Sequence, residues 1–161
     1  LAVADNGRRI PVEVPTHIAA TLEFARGAVG TLITSFDIWR HSLPRIEIYG
    51  SEGSLSVPDP NAFGGRVRLY TRESGEWRDV APTHGFLENS RSLGLADMAW
   101  AMRNNRTHRA NGDTAYHVLD IMHAVLDASN SGAYTVLEAA CEQPAAMPGA
   151  TNEVLLAREL S

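Results

Sequence analysis

Between Leu43 and Pro60 the chain reads Leu-Pro-Arg-Ile-Glu-Ile-Tyr-Gly-Ser-Glu-Gly-Ser-Leu-Ser-Val-Pro-Asp-Pro, a period-two alternation broken by one glycine-bounded turn. Only a strand sends every second side chain to the same side, so Ile46 and Ile48 share one face and Arg45, Glu47 and Tyr49 take the other. This dictates a half-buried antiparallel pair, with Gly50 and Gly53 punctuating the turn between its strands.

The same pattern recurs along the chain. His17 to Phe24 alternates with Ile18, Ala20, Leu22 and Phe24 on one face, and Arg26-Gly27-Ala28 turns it into Val29 to Ile38. Arg66 to Thr71 can pair with Trp77 to Val80 across Arg72-Glu73-Ser74-Gly75-Glu76, and Tyr134 to Leu137 supplies a last short strand. Two helical patterns lie between. Leu95, Met98 and Met102 recur at i, i+3 and i+7 within Ser92 to Asn104, while Val118, Ile121, Met122, Val125 and Leu126 stripe a second helix opened by Asp113 and stopped at Ser131-Gly132. Pro144, Pro148 and Gly149 mark a loop before a weak helix at Glu153 to Leu160.

Strands, then helices, then a returning strand read as α+β rather than alternating α/β. The expected architecture is an open, mainly antiparallel or mixed sheet of about six to seven strands, with helices packed on one face. Residues 1–161 are expected to form a single domain, since 161 residues with 44% apolar content suffice for one core and fall short of two ordinary ones. The first residue is Leu1 rather than methionine, so a fragment of a longer chain is expected.

Composition narrows the function classes. All 14 basic residues are arginine, and the net charge is −5. Arginines scattered over several elements give no continuous basic stripe, so a nucleic-acid partner is not expected. Without lysine the chain supplies neither a Schiff-base amine nor a lysine general acid. The single cysteine, Cys141, closes no internal disulfide, which fits a cytoplasmic protein. No apolar run approaches the roughly 20 residues of a membrane span.

Several constellations carry both a chemical and a structural reading. Gly50-Ser51-Glu52-Gly53 joins two strands instead of opening a helix, so it lacks the dipole and free amides that hold a pyrophosphate. His117, Asp120, His123 and Asp127 are spaced for one helix. At about 100° per residue the last three fall opposite the Val118, Ile121 and Val125 stripe, with His117 at its border. No converging partner completes a metal site there, and His117 reads as a buried residue bonding from helix to loop. Trp39-Arg40-His41 follows a strand directly. It is either an aromatic and cationic pocket wall for a polyhydroxylated ligand or an ordinary strand end with a packed Trp. Arg91 precedes a helix without an acidic neighbour in sequence, and binds either a ligand carboxylate or a group within the fold. Asn61 and Phe63-Gly64-Gly65 read as a loop.

Four segments together resemble one family. Leu43 to Pro60, Pro58-Asp59-Pro60-Asn61, Gly94-Leu95-Ala96-Asp97-Met98-Ala99 and Ala115-Tyr116-His117-Val118-Leu119-Asp120-Ile121-Met122 are similar to the C-terminal domain of the glucose-fructose oxidoreductase, inositol dehydrogenase and rhizopine catabolism (Gfo/Idh/MocA) family of NAD(P)-dependent oxidoreductases. The resemblance implies an N-terminal Rossmann domain that holds NAD or NADP and an α+β domain that completes the substrate pocket. It also implies hydride transfer to or from a sugar, inositol or similar polyol. The family's Glu-Lys-Pro motif and its Asp and His pair lie upstream of this domain. On this resemblance the isolated chain is expected to be inactive and to hold no cofactor, catalytic or metal-binding residue of its own. Trp39, Arg40, His41 and Arg91 are then expected to contact the small-molecule substrate. A homodimer or higher homo-oligomer is expected through the open sheet face that carries Arg45, Glu47, Tyr49, Arg66, Arg68 and Tyr70. The alternative is a self-standing, non-catalytic module for assembly or ligand binding.

Overall fold

A computed structural model of the chain describes residues 2–5, 8–88 and 91–147. The fold is α+β, with eight strands and two helices. It divides into two compact units, Leu1–Ser42 and Leu43–Ser161.

The first unit holds two hairpins. β1 (Ala2–Asp5) pairs with β2 (Arg8–Pro11), and β3 (His17–Glu23) pairs with β4 (Val29–Ser35), both antiparallel. The second hairpin keeps unbroken register from His17↔Ser35 to Glu23↔Val29. Its turn closes through Phe24 N–H to Ala28 O at 2.9 Å and Gly27 N–H to Phe24 O at 2.8 Å. Gly27 sits at φ +86°, a left-handed conformation that only glycine adopts without a Cβ penalty. Ile18, Ala20 and Leu22 are half-buried while their neighbours on β3 are exposed, as the alternation predicts.

The second unit opens with a meander. β5 (Ile46–Tyr49), β6 (Gly53–Val57), β7 (Val67–Thr71) and β8 (Trp77–Val80) form one antiparallel sheet in chain order. The register aligns Ile48, Leu55, Leu69 and Arg78 across one face, with Ile46 beside Val57 and Val67 beside Val80. Tyr49, Ser54, Tyr70 and Trp77 form a row on the opposite face, as do Glu47, Ser56, Arg68 and Asp79. Gly53 permits the closest approach in the sheet, because a Cβ there would lie 2.4 Å from the Tyr70 carbonyl oxygen.

Two helices follow, α1 (Leu93–Arg103) and α2 (Gly112–Ser131). The N-cap of α2 is Asn111 rather than Asp113: the Asn111 side chain accepts from Thr114 N–H, leaving Asp113 in the first turn to complement the helix dipole. Gly132, at φ +64°, ends α2 with its N–H on Ala128 O at 2.9 Å.

Three features differ from the expectation. The strands form separate sheets of two, two and four members instead of one sheet of six or seven. The β1–β2 hairpin was not anticipated. Tyr134 to Leu137 joins no ladder, since extended propensity makes a strand only where a free edge meets it. The helix expected at Glu153 to Leu160 lies outside the described residues. Among those described, only Ala101 and Asp97 are buried, and the α1 stripe of Leu95, Met98 and Met102 stays exposed.

Candidate functional site

One loop in each unit carries the side chains that the sequence marks out. In the first unit, Phe36 N–H donates to Thr16 O at 2.8 Å and extends the β3–β4 ladder by one rung. Thr16 Oγ1 then donates to Asp37 Oδ2 at 2.5 Å, and Asp37 N–H donates to Ser35 Oγ at 3.1 Å. These bonds fix how the chain leaves the strand. Trp39, Arg40 and His41 follow at once, all exposed, with Trp39 wholly uncovered. The packed Trp of an ordinary strand end is therefore not observed. Covering such a ring removes roughly 150–250 Å² of surface from water, so the loop presents an apolar wall beside a fixed cation and an imidazole.

In the second unit, Asn61 to Gly65 and Leu87, Glu88 and Arg91 line an open cleft of about 500 Å³. Its shape is set by short-range constraints. Asp59 Oδ1 accepts from Asn61 N–H at 2.9 Å, and the Asp59 carbonyl accepts from Ala62 N–H at 3.0 Å. Arg45 pairs with Asp59 at 3.6 Å. A Cβ on Gly64 would lie 2.3 Å from the Leu87 carbonyl oxygen, so glycine lets the two walls touch. Arg91 Nη2 donates to Asn61 Oδ1 at 2.9 Å. Both readings of Arg91 have a footing here, since it bonds within the fold and still lines the cleft without a described carboxylate partner. Trp39, Arg40 and His41 are thus brought together in one loop, whereas Arg91 belongs to the other unit.

His117 behaves as its border position suggests, with Nδ1 donating to the Ala139 carbonyl at 3.0 Å from helix to loop. Among the described residues, no three His, Cys, Asp or Glu side chains gather to hold a metal ion. No described helix is long and apolar enough to cross a membrane.

Two described segments, the β5–β6 turn and the start of α2, are not arranged to cradle a pyrophosphate. Gly50 N–H donates to Gly53 O at 2.8 Å and closes a turn between β5 and β6, so no helix amides face that loop. At the start of α2, the Asn111 side chain occupies the Thr114 amide, and Asp113 puts a negative charge where a phosphate would sit.

One cluster lies outside the sequence expectations. Asp97, 8% exposed on α1, accepts from Arg106 Nη2 at 2.7 Å, from Arg109 N–H at 2.8 Å and from Arg109 Nη1. Burial pushes its carboxyl upward, but the hydrogen bonds from Arg106 and the Arg109 backbone, with both guanidinium charges, outweigh this and hold it below the usual carboxylate range. An acidic residue on one helix with two arginines in the next loop was the available signal.

On the exposed sheet face, Arg66 pairs with Asp79 at 2.5 Å. The Arg68 guanidinium lies 5.3 Å from the Trp77 ring centroid. Tyr49 donates to the Glu47 carboxylate, which raises the phenol above its ordinary range.

Comparison with protein families gives a match to the GFO/IDH/MocA C-terminal domain over residues 2–56, a span that runs from β1 into β6 and includes Trp39, Arg40 and His41. No curated protein and no solved structure matches the chain. Over residues 2–56, then, the chain is similar to the GFO/IDH/MocA C-terminal domain, the family that its motifs resemble.

Proposed function

We propose that this chain is the substrate-side and assembly part of a cytoplasmic NAD(P)-dependent oxidoreductase that acts on a sugar, inositol or similar polyol by hydride transfer. The family match over residues 2–56 carries the reading. The nicotinamide cofactor is held by a Rossmann domain outside residues 1–161, consistent with the poor fit of those two segments to a pyrophosphate, and the chain alone is inactive. In the first unit Trp39 gives the pyranose or cyclitol ring an apolar face, while Arg40 and His41 supply charged or polar hydrogen bonds to its hydroxyls; in the second unit Arg91 offers the substrate a charged hydrogen bond at its own cleft. None of these four is assigned a proton-transfer step.

Assembly uses the sheet face that carries Glu47 and Arg68. Those two residues share one cross-strand row with Ser56 between them, so they stand about 9–10 Å apart. Arg66 and Asp79 satisfy each other, whereas Glu47 and Arg68 have no ion-pair partner among the described residues. A two-fold axis over Ser56 would set each Glu47 against the Arg68 of the partner, the reciprocal contact that a closed dimer requires. Steady-state oxidation of a panel of polyols by the full-length parent protein, with NAD or NADP, tests the reading. Turnover of a polyol supports it, and cofactor-independent activity or none across the panel contradicts it.

A further inference from the structure

Side chains, not a ladder, hold the extended segment that follows α2. Among the described residues, no backbone N–H of 134–147 bonds to a backbone carbonyl. Its carbonyls are taken instead by donors from three other parts of the second unit. His117 Nδ1 on α2 donates to Ala139 O at 3.0 Å, and Arg109 Nε and Nη2, in the loop before α2, donate to Ala145 O at 2.8 Å and Ala146 O at 3.2 Å. His84, just after β8, donates from Nε2 to Met147 O at 2.9 Å. A carbonyl only accepts, so the proton lies on Nε2, and Nδ1 of the neutral ring accepts from the Thr83 hydroxyl at 2.8 Å.

The contacts of Arg109 and His84 fall on three consecutive residues, and they bracket one wall of the Arg91 cleft. His84 stands just before Leu87 and Glu88, which line that cleft with Arg91. Arg109 is gripped by Asp97 on α1, the helix that begins just after Arg91. Between the two anchors Phe86 sits at φ +62°, a left-handed conformation that a residue with a Cβ keeps only where its surroundings impose it. The Leu87 carbonyl then lies against Gly64, and Arg91 reaches Asn61.

We propose that residues 145–147 are a strap that sets the Arg91 wall of the cleft, with His84 and Arg109 as positioning residues at its two anchors. While both anchors hold, the chain on either side of Leu87, Glu88 and Arg91 is tied to the same short stretch, and the wall keeps one shape. When the His84 anchor is lost, nothing imposes the left-handed Phe86, and Leu87 and Glu88 move as a loop. The use of this wall for a substrate rests on the function proposed above; the strap does not.

NMR backbone relaxation on the chain reads the wall with no substrate present. In the unsubstituted chain Phe86, Leu87 and Glu88 give order parameters near the rigid value of about 0.85, and His84→Ala takes them below about 0.6 together with Ala146 and Met147. His84→Gln restores them, because its amide can donate to Met147 O and accept from Thr83. Arg109→Lys keeps a charge beside Asp97 but loses the planar fork, and loosens the same residues. His117→Ala frees Ala139 alone and leaves Phe86, Leu87 and Glu88 rigid. In the full-length parent protein, His84→Ala raises KM for the polyol about threefold or more with kcat kept. A loosened wall with unchanged KM supports the strap and counts against the substrate reading of Arg91. Rigid Phe86, Leu87 and Glu88 in His84→Ala, or equal loosening in His117→Ala, overturns the proposal.

Discussion

Asp97 grips Arg109 twice, through its backbone N–H at 2.8 Å and through its guanidinium, and Arg109 passes other donors on to the carbonyls of Ala145 at 2.8 Å and Ala146 at 3.2 Å. One carboxylate on α1 thereby anchors the loop before α2 and the segment that follows it. Asp97→Ala leaves two guanidinium groups without their acceptor and is expected to cost about 2–4 kcal/mol. Urea denaturation of both chains measures the difference.

The same carboxyl sets an acid limit. Because its folded pKa lies below the ordinary aspartate value, the stability it contributes is full above that ordinary value and is lost as pH falls through the folded value. Asp97→Asn removes this acid-dependent part. Melting temperatures between pH 2 and 6 should show a shallower acid slope in the variant.

Glycine replacements separate close approach from helix propensity. Gly53→Ala forces a Cβ to within 2.4 Å of the Tyr70 carbonyl oxygen, against backbone that cannot swing away, and should cost about 1–3 kcal/mol. Gly94→Ala on α1 meets nothing within 4 Å and should stabilise by about 0.5–1 kcal/mol. Thermal melts with opposite signs for the two variants check both.

Much of this fold is legible in the sequence because alternation is a local signal. Ile46, Ile48, Leu55, Val67 and Leu69 fall on one sheet face and Glu47, Tyr49, Arg68 and Tyr70 on the other, as period two requires. The β1–β2 hairpin was also legible, since Asn6-Gly7 between its strands is a strong turn dipeptide. Tyr134 to Leu137 was not, because pairing depends on a partner edge that no local pattern specifies. The cleft at Arg91 depends on Asn61, 30 positions away. The Asp97 cluster joins residues 9 and 12 positions apart through a loop whose path no periodicity encodes.

The helix-to-loop bond of His117 predicts a local effect. His117→Ala removes the donor that holds Ala139 and should cost about 0.5–1.5 kcal/mol. Hydrogen exchange should then show faster opening around residues 137–141, with β5 to β8 unchanged.

The proposed substrate role of the loop after β4 turns on Arg40. In the full-length parent enzyme, Arg40→Ala should lower kcat/KM for the polyol by more than about tenfold, the loss expected for a charged hydrogen bond of roughly 1.5–3 kcal/mol, while the KM for NAD or NADP stays unchanged. Unchanged polyol kinetics, or a defect confined to the nicotinamide cofactor, would contradict the account.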